Sequence, residues 1–289
     1  MNCKLSVQTF GNNIKLTPLS DGTFKLDGGA MFGIVPKPLW KKRTPSDRFN
    51  RILIGLNPLL IQTDKMNILV DTGIGDKNRY SAKFNEIYSV QQPPTLQGCL
   101  HELGLAPQDI NMVILTHLHF DHTGGSTVKN DSGAFVPAFP NAKYIMQKGE
   151  WDASFDSSER TAGSYFKETY LPIEEHKQAE FISGDAQITG DISVKITGGH
   201  TLNHQLVLIK SAGQTAVYWG DLIPTASHID VPYIMGYDLY PMETAVAKKK
   251  FLAPAVAEKW LCFWEHDPKV KSGFITTDGK KFNVVASTE

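Results

Sequence analysis

Apolar and polar positions alternate over short stretches of this chain, and turns interrupt them at close intervals. Ile14, Leu16 and Leu19, then Phe24 and Leu26, are separated by Asn12-Asn13 and Asp21-Gly22, which predicts short antiparallel strands at a sheet edge. Residues 51–56 and 58–62 predict a single strand, and 67–71 returns across Asp64-Lys65 as its hairpin partner. The run 111–115 predicts a buried strand. Further strands are predicted over 143–146, over 180–195 with turns at Gly184-Asp185 and Gly190-Asp191, and over 205–209, 215–219 and 260–264.

Helical spacing is rarer. Leu96, Leu100 and Leu103 follow a cap at Thr95 or a neighbour and precede Gly104, and His101 on that helix is expected to be solvated. Residues 242–259 are helical in pattern but interrupted by Pro254. Residues 151–176, with Phe155, Tyr165, Phe166 and Tyr170 among many charges, predict two helical pieces and are the best candidate for a substrate lid. In 27–40, three Gly and two Pro break any regular element. An apolar loop of that length either packs as a surface or dimer contact around Trp40 or forms the lip of a substrate pocket. No repeat, linker or low-complexity stretch divides the chain, so one mixed α and β domain over 1–289 is expected.

Composition narrows the partners. With 29 basic and 30 acidic residues the chain has no electrostatic footprint for nucleic acid or an anionic membrane, which points to a small, weakly charged substrate. Cys3, Cys99 and Cys262 are widely spaced and odd in number, which suggests neither a disulfide framework nor a zinc knuckle and fits a reducing cytoplasm. No basic-then-apolar leader opens the sequence and no run approaches the ~20 apolar residues of a membrane span, so an unexported, cytoplasmic protein is expected.

The chemistry concentrates in Thr116-His117-Leu118-His119-Phe120-Asp121-His122-Thr123-Gly124-Gly125, directly after the buried strand. In an extended segment, residues two apart face the same side, so His117 and His119 can converge on one ion. A chain turning there aims Asp121 and His122 at a second ion a few Å away, the layout of a two-metal hydrolytic site.

This motif resembles the signature of the metallo-β-lactamase superfamily, and the later Gly198-Gly199-His200-Thr201, Trp219-Gly220-Asp221 and Trp264-Glu265-His266-Asp267-Pro268 match its remaining ligand positions in order. The resemblance covers about residues 53–268 and implies an α/β (α+β) fold, an αββα sandwich of two mixed β-sheets flanked by helices. It implies one metal held by His117, His119 and His200, a second by Asp121, His122 and His266, and Asp221 bridging both, with Asp121 and Asp221 as the catalytic carboxylates. Imidazoles and carboxylates without thiolate suit two Zn²⁺, with Mn²⁺, Fe²⁺ or Co²⁺ compatible. Two such ions share a water and lower its pKa toward neutrality, giving a hydroxide nucleophile without a Ser or Cys. Asp71-Thr72-Gly73 recurs in the superfamily as well; Asp71 either fixes the ring of a metal-bound His or caps a turn. His204 and His228 are expected to be structural or to support the ligands, and Asp267 to anchor a ligand imidazole or cap a turn.

Segments 27–40, 220–225 and 235–238 resemble the branch containing quorum-quenching N-acyl-homoserine lactonases and methyl-parathion-type phosphotriester hydrolases. Opening of a lactone or related ester is the function this implies; phosphotriester hydrolysis is the alternative, and a non-catalytic metal-binding protein the distant third. Several lactonases place a Tyr three residues after the bridging Asp, where this chain has Pro224, and Tyr233 is the candidate to replace it. Phe32, Phe120 and Tyr233 are the expected substrate contacts. β-Lactam hydrolysis, glyoxalase-type thioester hydrolysis, nuclease activity and flavin-dependent oxygen reduction are disfavoured, the last because such relatives carry Glu where this chain has His119.

Overall fold

The computed structural model describes residues 3–287. Two seven-stranded sheets pack face to face. The first runs, in spatial order, Gln8–Phe10, Ile14–Pro18, Leu59–Gln62, Asn67–Val70, Met112–Ile114, Lys143–Gln147 and Ala179–Ile182. The second runs Ala186–Gln187, Ile192–Ile196, Gln205–Ser211, Gln214–Tyr218, Leu261–Phe263, Ser272–Thr277 and Phe282–Ala286. Both mix parallel and antiparallel pairs; Met112–Ile114 lies parallel to both neighbours.

Period-two alternation builds three apolar layers from these strands. Leu59, Ile61, Ile68, Val70 and Ile114 face Val194, Val207, Ile209, Tyr218 and Phe263 between the sheets. The intervening Leu60, Leu69, Val113 and Leu115 turn outward beneath Leu96 and Leu100 of helix Leu96–Glu102 and Ile173 of Leu171–Glu175. On the other side Leu206, Leu208, Val217 and Cys262 meet Ala247, Phe251, Leu252 and Ala255 of helix Pro241–Ala257. Helix, sheet, sheet, helix is the αββα order.

Several expectations are corrected. Residues 51–62 are two strands: Arg51–Gly55 pairs with Thr23–Asp27 in a separate ribbon, and only Leu59–Gln62 enters the large sheet. The break at Asn57-Pro58 has a use, because Asn57 Nδ2 donates to the carbonyls of Trp264 and Asp267 and the Gly55 amide to that of His266. Residues 180–195 also divide, Ala179–Ile182 joining the first sheet and the rest the second. Segment 27–40 is not irregular: Asp27 caps helix Gly28–Phe32, and Lys37–Trp40 forms a further helical turn. Trp40 is buried against Phe32, so its ring is not an outward contact. Helix Pro241–Ala257 continues through Pro254 because packing of its apolar face outweighs one lost hydrogen bond. Cys3 and Cys99 form a disulfide, contrary to the expectation from their spacing; a separation of 96 residues gave no local sign that the N-terminal segment returns to helix Leu96–Glu102. Among the described residues no helix is long and apolar enough to cross a membrane.

Segment 228–233 is tied down by Lys248, fully buried on helix Pro241–Ala257. Its Nζ donates to the carbonyls of His228, Asp230 and Tyr233 at 2.5, 2.7 and 2.9 Å, three acceptors for three protons. Lys248→Met keeps the apolar stem but strands those carbonyls, and is expected to lower unfolding free energy by about 3 kcal/mol in denaturant melts.

Candidate metal centre

The strand Met112–Ile114 delivers His117 in extended backbone, and the chain turns at His119, which precedes the short helix Phe120–Thr123 carrying Asp121 and His122. That turn sends the second pair to a different side. His200 follows two glycines of positive φ, Gly198 and Gly199; a Cβ on Gly199 would fall 2.3 Å from Thr244 Oγ1, so the ligand loop lies against the start of helix Pro241–Ala257. Asp221 sits in the tight turn Gly220–Leu222 beyond strand Gln214–Tyr218, and His266 lies beyond Leu261–Phe263.

All seven side chains meet. Three groups have ligand atoms within 4.8 Å of one another: His117, His119 and His200; His117, His122 and Asp221; and Asp121, His122 and His266. Asp221 lies between them, Oδ2 at 3.1 Å from His200 Nε2 and Oδ1 at 3.2 Å from His266 Nε2 and 3.6 Å from His122 Nε2. Asp121 Oδ2 lies 3.5 Å from His266 Nε2.

The rings are held from behind. Asp71 Oδ2 accepts from His122 Nδ1 at 2.9 Å and Asp238 Oδ1 from His200 Nδ1 at 2.9 Å, while the Gly55 carbonyl accepts from His266 Nδ1 at 2.9 Å. Each contact puts the proton on Nδ1 and leaves the Nε2 lone pair facing the centre. Asp71 also accepts from the Thr116 amide and hydroxyl at 2.8 Å each, so it fixes both the ring and the strand end.

These residues fit a divalent cation. His117 Nε2 and Asp221 Oδ1 are buried without a hydrogen-bond partner. His200 Nε2 and His119 Nδ1 face each other at 3.0 Å, and His122 and His266 Nε2 at 3.2 Å, closer than lone pairs tolerate without a cation or proton between them. Burial and neighbouring imidazoles keep His117 and His119 well below the usual histidine range. Burial pushes His266 the same way, but Asp221 outweighs it and raises the ring to about 9; carboxylates around His122 and His200 likewise raise both. Burial would raise Asp221, but His200, His266 and His122 hold it well below the usual carboxylate range.

The other histidines are engaged elsewhere. His204 Nε2 accepts from the Asp221 amide at 3.0 Å, and His228 bridges Thr225 and the Met31 carbonyl; burial lowers both to about 3, so both stay neutral. His101 is exposed. Asp267 caps a turn, accepting from the amides of Lys269, Val270 and Ala226.

A cavity of about 370 Å³ opens above the cluster, reached by His119, Asp121, His200, Asp221 and His266. Leu26, Met31, Tyr88, Phe120, Met235 and Tyr237 give it a largely apolar wall, and residues 160–164 of the expected lid form one side. Phe120 lines it. Phe32 and Tyr233 do not: Phe32 is buried between Trp40 and His228, and Tyr233 packs edge-on behind it under Arg43. These two rings pack beneath the loop, whereas Ala30 and Met31 of segment 27–40 do line the cavity. Pro224, at the expected Tyr position, instead accepts from the His266 amide through its carbonyl. Sequence reasoning missed Tyr88 and Tyr237 and the role of Asp238. An acid following Gly236-Tyr237 was the only signal for the last.

Comparison with known proteins agrees with this geometry. A family model described as the metallo-beta-lactamase superfamily matches residues 55–266. An N-acyl homoserine lactonase from a Bacillus species is 30% identical over 229 residues, 74% of this chain and 82% of that protein. The crystal structure of a probable metal-dependent hydrolase from Staphylococcus aureus superposes with a TM-score of 0.87 at 29% identity, covering 97% of this chain and all of that one. AidC, a dizinc quorum-quenching lactonase solved with a product, superposes at 0.80 with 20% identity, over 99% of this chain and 98% of its own, which speaks to the fold. With its two sheets, its converging His and Asp ligands and a match across most of its length, the chain belongs to the metallo-beta-lactamase superfamily and is a metal-dependent hydrolase.

Proposed function

We propose that this hydrolase opens the ring of N-acyl-homoserine lactones or closely related esters, with two Zn²⁺ per chain. The observation that carries the reading is an apolar cavity ending on a carboxylate that faces two histidine groups. His117, His119 and His200 would hold one cation, Asp121, His122 and His266 the other, and Asp221 both. Bound there, two cations supply Lewis acidity toward an ester carbonyl and bring the pKa of a coordinated water near neutrality.

The chain's own residues do the rest. Leu26, Met31, Phe120 and Met235 exclude water and receive an acyl chain. Asp121, 8% exposed and lining the cavity, is the group at hand to carry a proton toward the departing alkoxide. Tyr88 and Tyr237 are the tyrosines in the wall, and they replace Tyr233 as the aromatic residues beside a bound carbonyl. Relatives named as N-acyl homoserine lactonases support the same substrate class.

The test is hydrolysis of γ-butyrolactone, an N-acyl-homoserine lactone series and a phosphotriester by zinc-loaded protein. Each acyl CH₂ that enters the wall contributes about 0.8 kcal/mol, so kcat/KM should rise up to about fourfold per carbon until the wall is filled. Rapid phosphotriester turnover beside inert lactones would overturn the reading.

A further inference from the structure

Glu150 is a buried carboxylate for which the reading above has no use. It lies in the first turn of helix Lys148–Phe155, 1% exposed, immediately beyond strand Lys143–Gln147. That strand pairs in parallel with Met112–Ile114, so the two strand ends lie side by side and Glu150 emerges beside the segment carrying His117 and His119. The loop after His200 packs on the same helix start: a Cβ on Gly149 would fall 2.4 Å from Asn203 Oδ1.

Three donors converge on Glu150. Oε1 accepts from the Leu118 amide at 3.3 Å and the Tyr165 hydroxyl at 2.9 Å, and Oε2 accepts from the Thr201 hydroxyl at 2.7 Å. Leu118 lies between His117 and His119, and Thr201 follows His200. The Tyr165 ring meets His119 edge-on with centroids 5.1 Å apart. Two of the donors are thus chain neighbours of these three histidines and the third packs on one of their rings. Among the described residues no Lys or Arg forms an ion pair with Glu150. A carboxylate is acceptor-only, so it suits three donors where an amide would turn an N–H toward one of them. Burying it without a counter-charge is unfavourable unless a positive charge lies nearby.

We propose that Glu150 is a positioning residue for a cation held by His117, His119 and His200, fixing the backbone on both sides of the group and supplying part of its counter-charge. This rests on the reading that those histidines hold a cation. Asp71, by contrast, touches His122 directly and reaches His117 only through the Thr116 hydroxyl, which lies 3.0 Å from His117 Nδ1.

Co²⁺ titration of chelator-stripped protein, followed by d–d absorption, tests this without using turnover. Wild type should take up two Co²⁺. Glu150→Gln, nearly isosteric, should weaken one uptake step by about 10- to 100-fold and leave the other within about twofold, while Asp71→Asn, which acts on His122 directly and on His117 through Thr116, should weaken the opposite step the more. Glu150→Asp should recover part of the loss, which a purely steric role would not allow. If Glu150→Gln fails to fold, Thr201→Val and Tyr165→Phe each remove one donor and should each weaken the same step by a smaller factor. Unchanged titrations in the folded variants, or equal weakening of both steps, would overturn the role of Glu150. A wild type that takes up fewer than two Co²⁺ would overturn the underlying two-cation reading instead.

Discussion

Asp221→Ala is expected to lower lactone hydrolysis by at least about 10³-fold, some 4 kcal/mol of activation free energy, and to reduce the metal bound per chain. The size follows from how many groups converge on one carboxylate. His200 and His266 approach its two oxygens at 3.1 and 3.2 Å and His122 at 3.6 Å, and its backbone amide is fixed by His204. Removing it leaves Asp121 as the remaining carboxylate among the rings and takes away the one group that both cation positions would share. Asp221→Asn separates charge from shape, since it keeps one oxygen and turns an N–H toward a histidine on the other side. It should lose nearly as much turnover as the alanine variant. Kinetics on the best lactone, with metal content from elemental analysis, decide the matter; a turnover within tenfold of wild type in both variants would remove Asp221 from the reaction.

How much of this was legible depended on the range of the interaction. That His117, His119, Asp121 and His122 meet is a consequence of two local periods, an extended segment followed by a helical turn, and both lie inside ten residues of sequence. The layers were legible for the same reason, because Leu59, Leu60 and Ile61 alternate between two cores. What stayed hidden crosses the chain. Asp238 reaches His200 over 38 residues, Gly55 reaches His266 over 211, and Cys3 reaches Cys99 over 96. Tyr88 and Tyr237 come from opposite ends of the sequence to one wall, and the hairpin Ser272–Thr277 with Phe282–Ala286 closes the second sheet beyond the last recognisable motif. Phe32 and Tyr233 lie off the cavity for a related reason: an apolar side chain in a loop says that it is buried, not against what.

Metal removal should lower the melting temperature, and by an amount that grows with pH. A ligand present at about 1,000 times its dissociation constant stabilises by about 4 kcal/mol, which for a chain of this size corresponds to roughly 10 °C. The pH dependence comes from the rings. His266, raised to about 9, and His122 and His200, also raised, carry protons in the metal-free fold that a cation must displace. Metal affinity therefore increases as pH rises toward 9. In the metal-free protein the sign is opposite. A histidine whose folded pKa exceeds its unfolded value of about 6.5 contributes stability that is complete below 6.5 and lost as pH climbs through the folded value. His117 and His119, held low, are already neutral in this window and add nothing to the slope. Between pH 6.5 and 9 the metal-free protein should thus weaken while the loaded protein, whose rings carry no displaceable proton, holds nearly constant, and the gap between their melting temperatures should widen. Thermal melts of chelated and zinc-loaded protein across that range measure it directly. A gap that stays constant or narrows would mean that the protons and the metal do not compete for the same nitrogens.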